Sequence, residues 1–193
     1  MGAGEGSGSS DSGNARRKGG WMRAVRRLRR DRRGATMVEF SLLMLPFFIL
    51  MFGIAEVGLV TWGSLELENA TDDAARLVRT GQAQAQNYDN ARLKQAVCAR
   101  VSLLFDCQNK LRIDLQSFPT FSGMTAPAPL DGAGNLKQDF AFEMGSGEEV
   151  VLMSTFYEWP LQLLGSLSLS NMPNGHRLLR ASAAFRNEPF PDN

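Results

Sequence analysis

From Phe40 to Ala55 the chain has sixteen consecutive residues without a charge, and the run stays mostly apolar to Val60. About 20 apolar residues are needed to cross the hydrocarbon of a bilayer, whereas the core of a cleaved secretory signal is typically about 7–15. Phe40–Val60 supplies 21, interrupted by Ser41, Pro46, Gly53, Glu56 and Gly58. No small-residue A-x-A site follows; the next residues are Thr61, Trp62 and Gly63, with Trp62 placed like an interfacial anchor. The run therefore reads as a retained membrane span over 40–61. Pro46 lacks the N–H that its turn of helix needs and should bend the span locally. Gly53 and Gly58 are five apart and make no GxxxG packing motif.

Charge is polarised around this run. Residues 1–34 carry ten Lys or Arg against three acids, a net of +7, and the remaining 159 carry 11 against 17, a net of −6. Arginine-rich segments bind phosphates, and a nucleic-acid tail is one reading of this block. Its position directly before an apolar span favours the other: basic flanks stay cytoplasmic and touch anionic headgroups. No nucleic-acid partner is expected. The chain would then cross a membrane once, N-terminus cytoplasmic and C-terminal part on the far side. The Gly/Ser-rich residues 2–14 read as disordered, and Trp21, Met22, Val25 and Leu28 fall at helical spacing within the basic block.

Beyond the span the helical period persists through Trp62, Leu65, Asn69, Asp72 and Arg76, and Gly81 is a natural stop. One helix over about 35–80 is predicted, roughly 70 Å at 1.5 Å per residue. A second helix is expected over Tyr88–Leu104, with Leu93, Val97, Val101 and Leu104 on one stripe. Leu111, Ile113 and Leu115 alternate with polar residues as in a half-buried strand, and so do Phe140, Phe142 and Met144. Pro119–Gly134 reads as a loop and Gly145–Gly147 as a turn. Val150–Trp159 reads as a strand that Pro160 stops, Leu161–Leu169 as a short helix, Asn171–Gly175 as a turn and Arg177–Phe185 as a last strand. The class is α+β: a long helix, a second helix, and a small antiparallel sheet packed on the long helix. The domain order is a basic leader over 1–34, the long helix over 35–80, and an α+β domain over 81–193.

The two cysteines, Cys98 and Cys107, lie past the span; if that side is periplasmic, an oxidising compartment makes a disulfide the default. Two buried free thiols are the alternative. In one continuous helix the pair would stand about 13 Å apart along the axis, too far for a bridge that needs Cα atoms roughly 4.4–6.8 Å apart. A bridge therefore requires the helix to end between them, at Leu104–Asp106. The only histidine is His176, in a turn and without a Cys or carboxylate cluster, so no metal site and no cofactor are expected. No G-x-S-x-G, Walker loop or dinucleotide fingerprint is present, and no enzymatic activity is expected.

The junction Arg32-Arg33-Gly34-Ala35-Thr36-Met37-Val38-Glu39-Phe40 is the most informative stretch. It resembles a type IV pilin leader, and RRGATMVEFSLLMLPFFILMFGIAEVG is similar to the start of TadE-like proteins of the tight-adherence (Tad, Flp) pilus system. The carriers are R-G-x-x-x-V-E-F, Leu45-Pro46, and Phe52-Gly53-Ile54 followed by Glu56; the ending Phe185–Phe190 is similar as well. The resemblance implies a minor pilin, or pseudopilin, cut by a prepilin peptidase between Gly34 and Ala35. Glycine suits the narrow protease cleft because it has no Cβ. Glu39, ionisable at the edge of hydrocarbon, would then meet the new ammonium of Ala35 in the same or an adjacent subunit, with Phe40 beside it in subunit packing. Implied partners are the peptidase, other pilin-like subunits, the Tad secretion machinery and the inner membrane, and the implied role is assembly, initiation or tip formation of a type IVb adhesion pilus. The membrane so implied is the bacterial inner membrane, with the C-terminal part periplasmic. Glu56 reads as an outer-interface residue or as a contact for a partner helix. The competing reading is an unprocessed single-span anchor for a periplasmic ligand-binding or enzymatic domain.

Overall fold

The computed structural model describes residues 32–102, 105–162 and 169–190. They divide into two compact units between Met51 and Phe52. The expected amphipathic helix around Trp21–Leu28 lies outside the described residues, as does most of the short helix expected over Leu161–Leu169. Leu161 and Gln162, which are described, are not helical.

Helix α1 runs Arg32–Arg79, 48 residues, and passes through Pro46 without a break in its helical assignment. It ends as the sequence predicts: Thr80 and Gly81 form the last turn, and Gly81 adopts φ +74°, the left-handed conformation glycine tolerates best. A short α2, Gln82–Ala85, follows. Helix α3, Asn90–Cys98, begins where the Asp89 carboxylate accepts the Arg92 backbone N–H at 2.7 Å. It is shorter than the helix expected over Tyr88–Leu104. Two turn residues follow it, and the chain then folds back to α4, Cys107–Lys110. Leu93 and Val97 of the expected stripe are buried, Val101 packs against the core from outside any helix, and Leu104 is not among the described residues.

Strands β1 (Leu111–Phe118), β2 (Val150–Trp159) and β3 (Arg177–Arg186) form an antiparallel sheet in the order β1-β2-β3. The register pairs Leu115 with Met153 and Met153 with Ala183. Odd-numbered side chains of all three strands face the C-terminal half of α1. Its inward stripe is Leu67, Ala70, Thr71, Ala74, Ala75 and Val78, all nearly inaccessible to solvent. Alanines and a threonine on that stripe bring the helix close to the sheet, and the Thr71 hydroxyl reaches the Thr155 hydroxyl at 2.6 Å. The outward stripe is the one most visible in the sequence, Trp62, Leu65, Asn69, Asp72 and Arg76.

The even-numbered face of the sheet carries a second, smaller core. Phe156 is fully buried between Leu136 and Met172, and the Phe140 ring stacks on it at 5.2 Å between centroids. The strand expected around Phe140–Met144 is absent. Only the isolated pairing of Leu115 with Phe142 forms, through Leu115 N–H to Ala141 C=O and Glu143 N–H to Leu115 C=O. Asp114 holds the same segment by accepting the Ala141 N–H at 3.1 Å, and it also accepts the Gln116 amide at 2.7 Å. Its burial raises the carboxyl pKa above the ordinary value, against the opposing pull of those hydrogen bonds and of the Arg180 charge.

The end of the described chain returns to the end of α1. The Asn187 side-chain amide donates to the carbonyls of Met144 and Ser146, and its backbone N–H donates to Glu149. The Glu188 N–H caps the Arg79 carbonyl at 2.9 Å, one of the carbonyls a helix leaves without an internal partner. Phe190 lies so close over Gly81 that a Cβ there would stand 2.7 Å from its ring.

Cys98 and Cys107 are bonded, with Cα atoms 5.6 Å apart. The bridge fixes the corner between α3 and α4, where Phe105 packs between Tyr157 and Trp159 and the Asp106 N–H donates to the Tyr157 hydroxyl. For so short a loop the chain-entropy estimate is about 2–3 kcal/mol. Replacing both cysteines with serine should lower unfolding free energy by about that amount, measured by denaturant titration, and added reductant should weaken only the parent protein.

Candidate membrane helix and assembly site

Between Thr36 and Ala55 the only ionisable side chain is Glu39. These twenty residues rise about 30 Å as an α-helix, the thickness of bilayer hydrocarbon. Large apolar side chains along the helix, including Met37, Leu43, Phe47, Leu50 and Ile54, are exposed to a degree unusual for a water-soluble surface. Among the described residues this is the one helix long and apolar enough to cross a membrane. Ser41 and Thr61 return their hydroxyls to the carbonyls four residues earlier, Met37 and Val57, so neither leaves an unpaired donor on an apolar surface.

At the start of the helix, Gly34 is exposed, and a Cβ added there would meet nothing within 4 Å. Packing therefore gives no reason for glycine at this position, where alanine would favour the helix by roughly 1 kcal/mol. The Gly34–Ala35 bond falls in the first turn of α1, whose N–H groups have no intrahelical acceptors and which is the least costly part of a helix to open. Glu39 is exposed one turn later, and Phe40 beside it is 59% exposed. Both are presented outward rather than used in the fold. Pro46 is exposed within the helix and Gly53 is half-buried.

Glu56 is placed otherwise than expected. Instead of facing headgroups or a partner helix, it is 2% exposed and accepts the Gln162 backbone N–H at 2.7 Å. The segment after Pro160 thus returns to α1 at Glu56, and from Val60 onward the helix is part of the sheet-packed core. Next to this contact Trp159 lies against Gly63, where a Cβ would come within 2.7 Å of the indole. Trp62, six residues past Glu56, is 42% exposed on a different side of the helix. Glu39 with Phe40 at one end, and Glu56 with Gln162 at the other, bracket the apolar stretch. Cys98 and Cys107 lie together in the α3–α4 corner and belong to the fold rather than to this helix. The Gln162 contact has no local signal in the sequence, because its partners are 106 positions apart.

Among the described residues no group of three or more His, Cys, Asp or Glu is arranged to hold a metal ion. Two open troughs of about 430 and 440 Å³ flank the Asp73–Arg76 turn of α1. Neither contains a paired nucleophile and base.

Glu56→Ala should destabilise the protein by about 1–3 kcal/mol, because the Gln162 amide would lose its buried acceptor. Glu56→Gln keeps an acceptor oxygen and should recover most of that loss, with thermal unfolding in detergent as the measurement.

Residues 34–76 match the family of TadE-like proteins, a family that suggests involvement in the Tad pilus system. No curated protein and no solved structure gives a significant match to the chain.

Proposed function

From the TadE-like segment at residues 34–76 we propose that this chain is a pseudopilin of the Tad (Flp) pilus system, matured by removal of its basic leader. The observation that carries the reading is the coincidence of three features at one point. The family match begins at Gly34, this glycine has no packing role, and the apolar helix starts directly after it. In this reading the helix from Thr36 to about Ala55 stores the subunit in the inner membrane. The unit beginning at Phe52 folds on the periplasmic side, with the arginines retained in the cytoplasm.

Cleavage at Gly34–Ala35 by a prepilin peptidase discards the arginines and creates an ammonium on Ala35. Glu39 then serves as its counter-charge, in the same or a neighbouring subunit, and Phe40 packs beside it. The carboxylate suits this role because it is exposed, sits at the hydrocarbon edge where an unpaired charge is costly, and contributes nothing that the fold needs. Lateral packing with other pilin-like subunits then initiates or tips a thin adhesion pilus. The protein acts as a structural subunit and not as an enzyme.

Co-expression with a prepilin peptidase of a Tad system should give a chain starting at Ala35, read by intact mass, and Gly34→Leu should leave the chain at full length. An uncut chain beside an active peptidase would favour the unprocessed anchor instead.

Glu39→Ala should still insert into the membrane, since removing a charge from the hydrocarbon edge is favourable. It should be cleaved normally yet fail to support piliation. Normal pilus counts in the Glu39→Ala strain would remove Glu39 from assembly.

A further inference from the structure

The sheet has two outer edges, and that of β1 is covered at one residue. On β1 the outward backbone groups of Leu115 are taken by Ala141 and Glu143. Because Leu115 points away from β2, the register makes Met153 and Ala183 a hydrogen-bonded pair, and the even-numbered residues of β3 then point outward. At Leu178 the Asn171 side chain plugs that edge, accepting its N–H and donating to its C=O. Beyond this plug, the outward N–H and C=O groups of Arg180, Ser182 and Ala184 have no partner among the described residues, and all three residues are exposed. Six backbone groups in a row form a template for another strand.

Two further features say what would fit. Strand β3, RLLRASAAFR, carries Arg177, Arg180 and Arg186 and no acid. Arg180 and Arg186 share the even face, and their charges disfavour a second β3 strand along the same edge. On the opposite face, a trough of about 440 Å³ opens between β3 and α1, lined by Ala183, Ala184 and Phe185 on one side and by Ala75 with Asp72, Asp73, Arg76 and Arg79 on the other. Its alanines leave room for a side chain that the described residues do not supply, and its two arginines are balanced by its two aspartates, so the positive charge that would select a partner is that of Arg180 and Arg186 on the even face.

We propose that the edge of β3 from Arg180 to Ala184 is a docking site at which an extended, carboxylate-bearing segment of a partner protein adds as a fourth strand. Alternation of side chains along such a strand puts its carboxylates over Arg180 and Arg186 and its apolar residues in the trough. Main-chain bonds hold the segment, and the trough and arginines select its sequence. The inference stands on the folded unit alone and does not depend on leader cleavage.

The test uses the full chain in detergent with a short peptide alternating Glu and Val, and a Lys–Val peptide of equal length as control. The Glu–Val peptide should slow hydrogen exchange at the Arg180, Ser182 and Ala184 amides by about tenfold or more, with an effect that weakens as salt rises. Ser182→Pro removes one outward donor without breaking a bond to β2, and it should abolish the protection while far-UV circular dichroism stays unchanged. Should that variant misfold, the double variant Arg180→Glu, Arg186→Glu serves instead, and it should transfer the protection to the Lys–Val peptide. Absence of protection, equal protection by both peptides, or protection that survives Ser182→Pro would overturn the proposal. So would protection that grows with protein concentration in the absence of peptide, since the occupant would then be a second copy.

Discussion

One helix serves two solvents, and the rest of the molecule follows from how it makes the change. Between Thr36 and Ala55 the only charged side chain of α1 is Glu39, as a helix surrounded by hydrocarbon requires. From Val60 onward one stripe is buried and becomes small, and past Leu65 the exposed side turns polar, with Glu68, Asn69, Asp72, Asp73 and Arg76. The buried stripe accepts the sheet because Ala70, Ala74 and Ala75 keep it thin, so that Thr71 and Thr155 meet as a hydrogen-bonded pair inside the core. A bulkier stripe would hold the sheet away and lose that contact. The Glu56 carboxylate marks the change of environment, and the chain neutralises its polarity with a backbone amide of its own.

Much of the fold was legible because it rests on short-range patterns. The alternation of Leu111, Ile113 and Leu115 gave β1, the Val150–Trp159 run gave β2, and Gly81 marked the end of α1 at the correct turn. The paired cysteines were legible too, since their spacing excluded a continuous helix and required the corner that the structure shows. The alternation of Phe140, Phe142 and Met144 was misleading for a physical reason. Aromatic residues at period two can fill two cores from an irregular segment, and here Phe140 packs against Phe156 while Phe142 and Met144 join the larger cluster. Only one residue of β1, Leu115, offers that segment backbone partners, so no ladder grows.

The candidate site divides in the same way. Gly34, Glu39 and the apolar run are contiguous and could be read directly, whereas the inward turn of Glu56 depends on a partner 106 residues later. The outward stripe of α1 drew the eye through its large and charged residues, while the stripe that carries the packing is made of alanines, which hydrophobic periodicity registers weakly. The open edge of β3 was hidden for a third reason: a strand looks the same in sequence whether one or both of its sides are paired.

The bond from Glu188 N–H to the Arg79 carbonyl, with Asn187 and Phe190 on either side of it, also sets an order of events. Helix α1 can form as soon as it emerges, but its C-terminal end stays open until residues 187–190 arrive, 109 positions later in the case of Glu188. Contacts of such long sequence separation form slowly, because loop closure must precede any gain from them. The unit beginning at Phe52 therefore completes its fold only after β3 and the residues that follow it have docked. Until then the Arg79 carbonyl and the Gly81 turn stay uncovered, which makes the period before closure the one in which the unit is most open to the wrong neighbour.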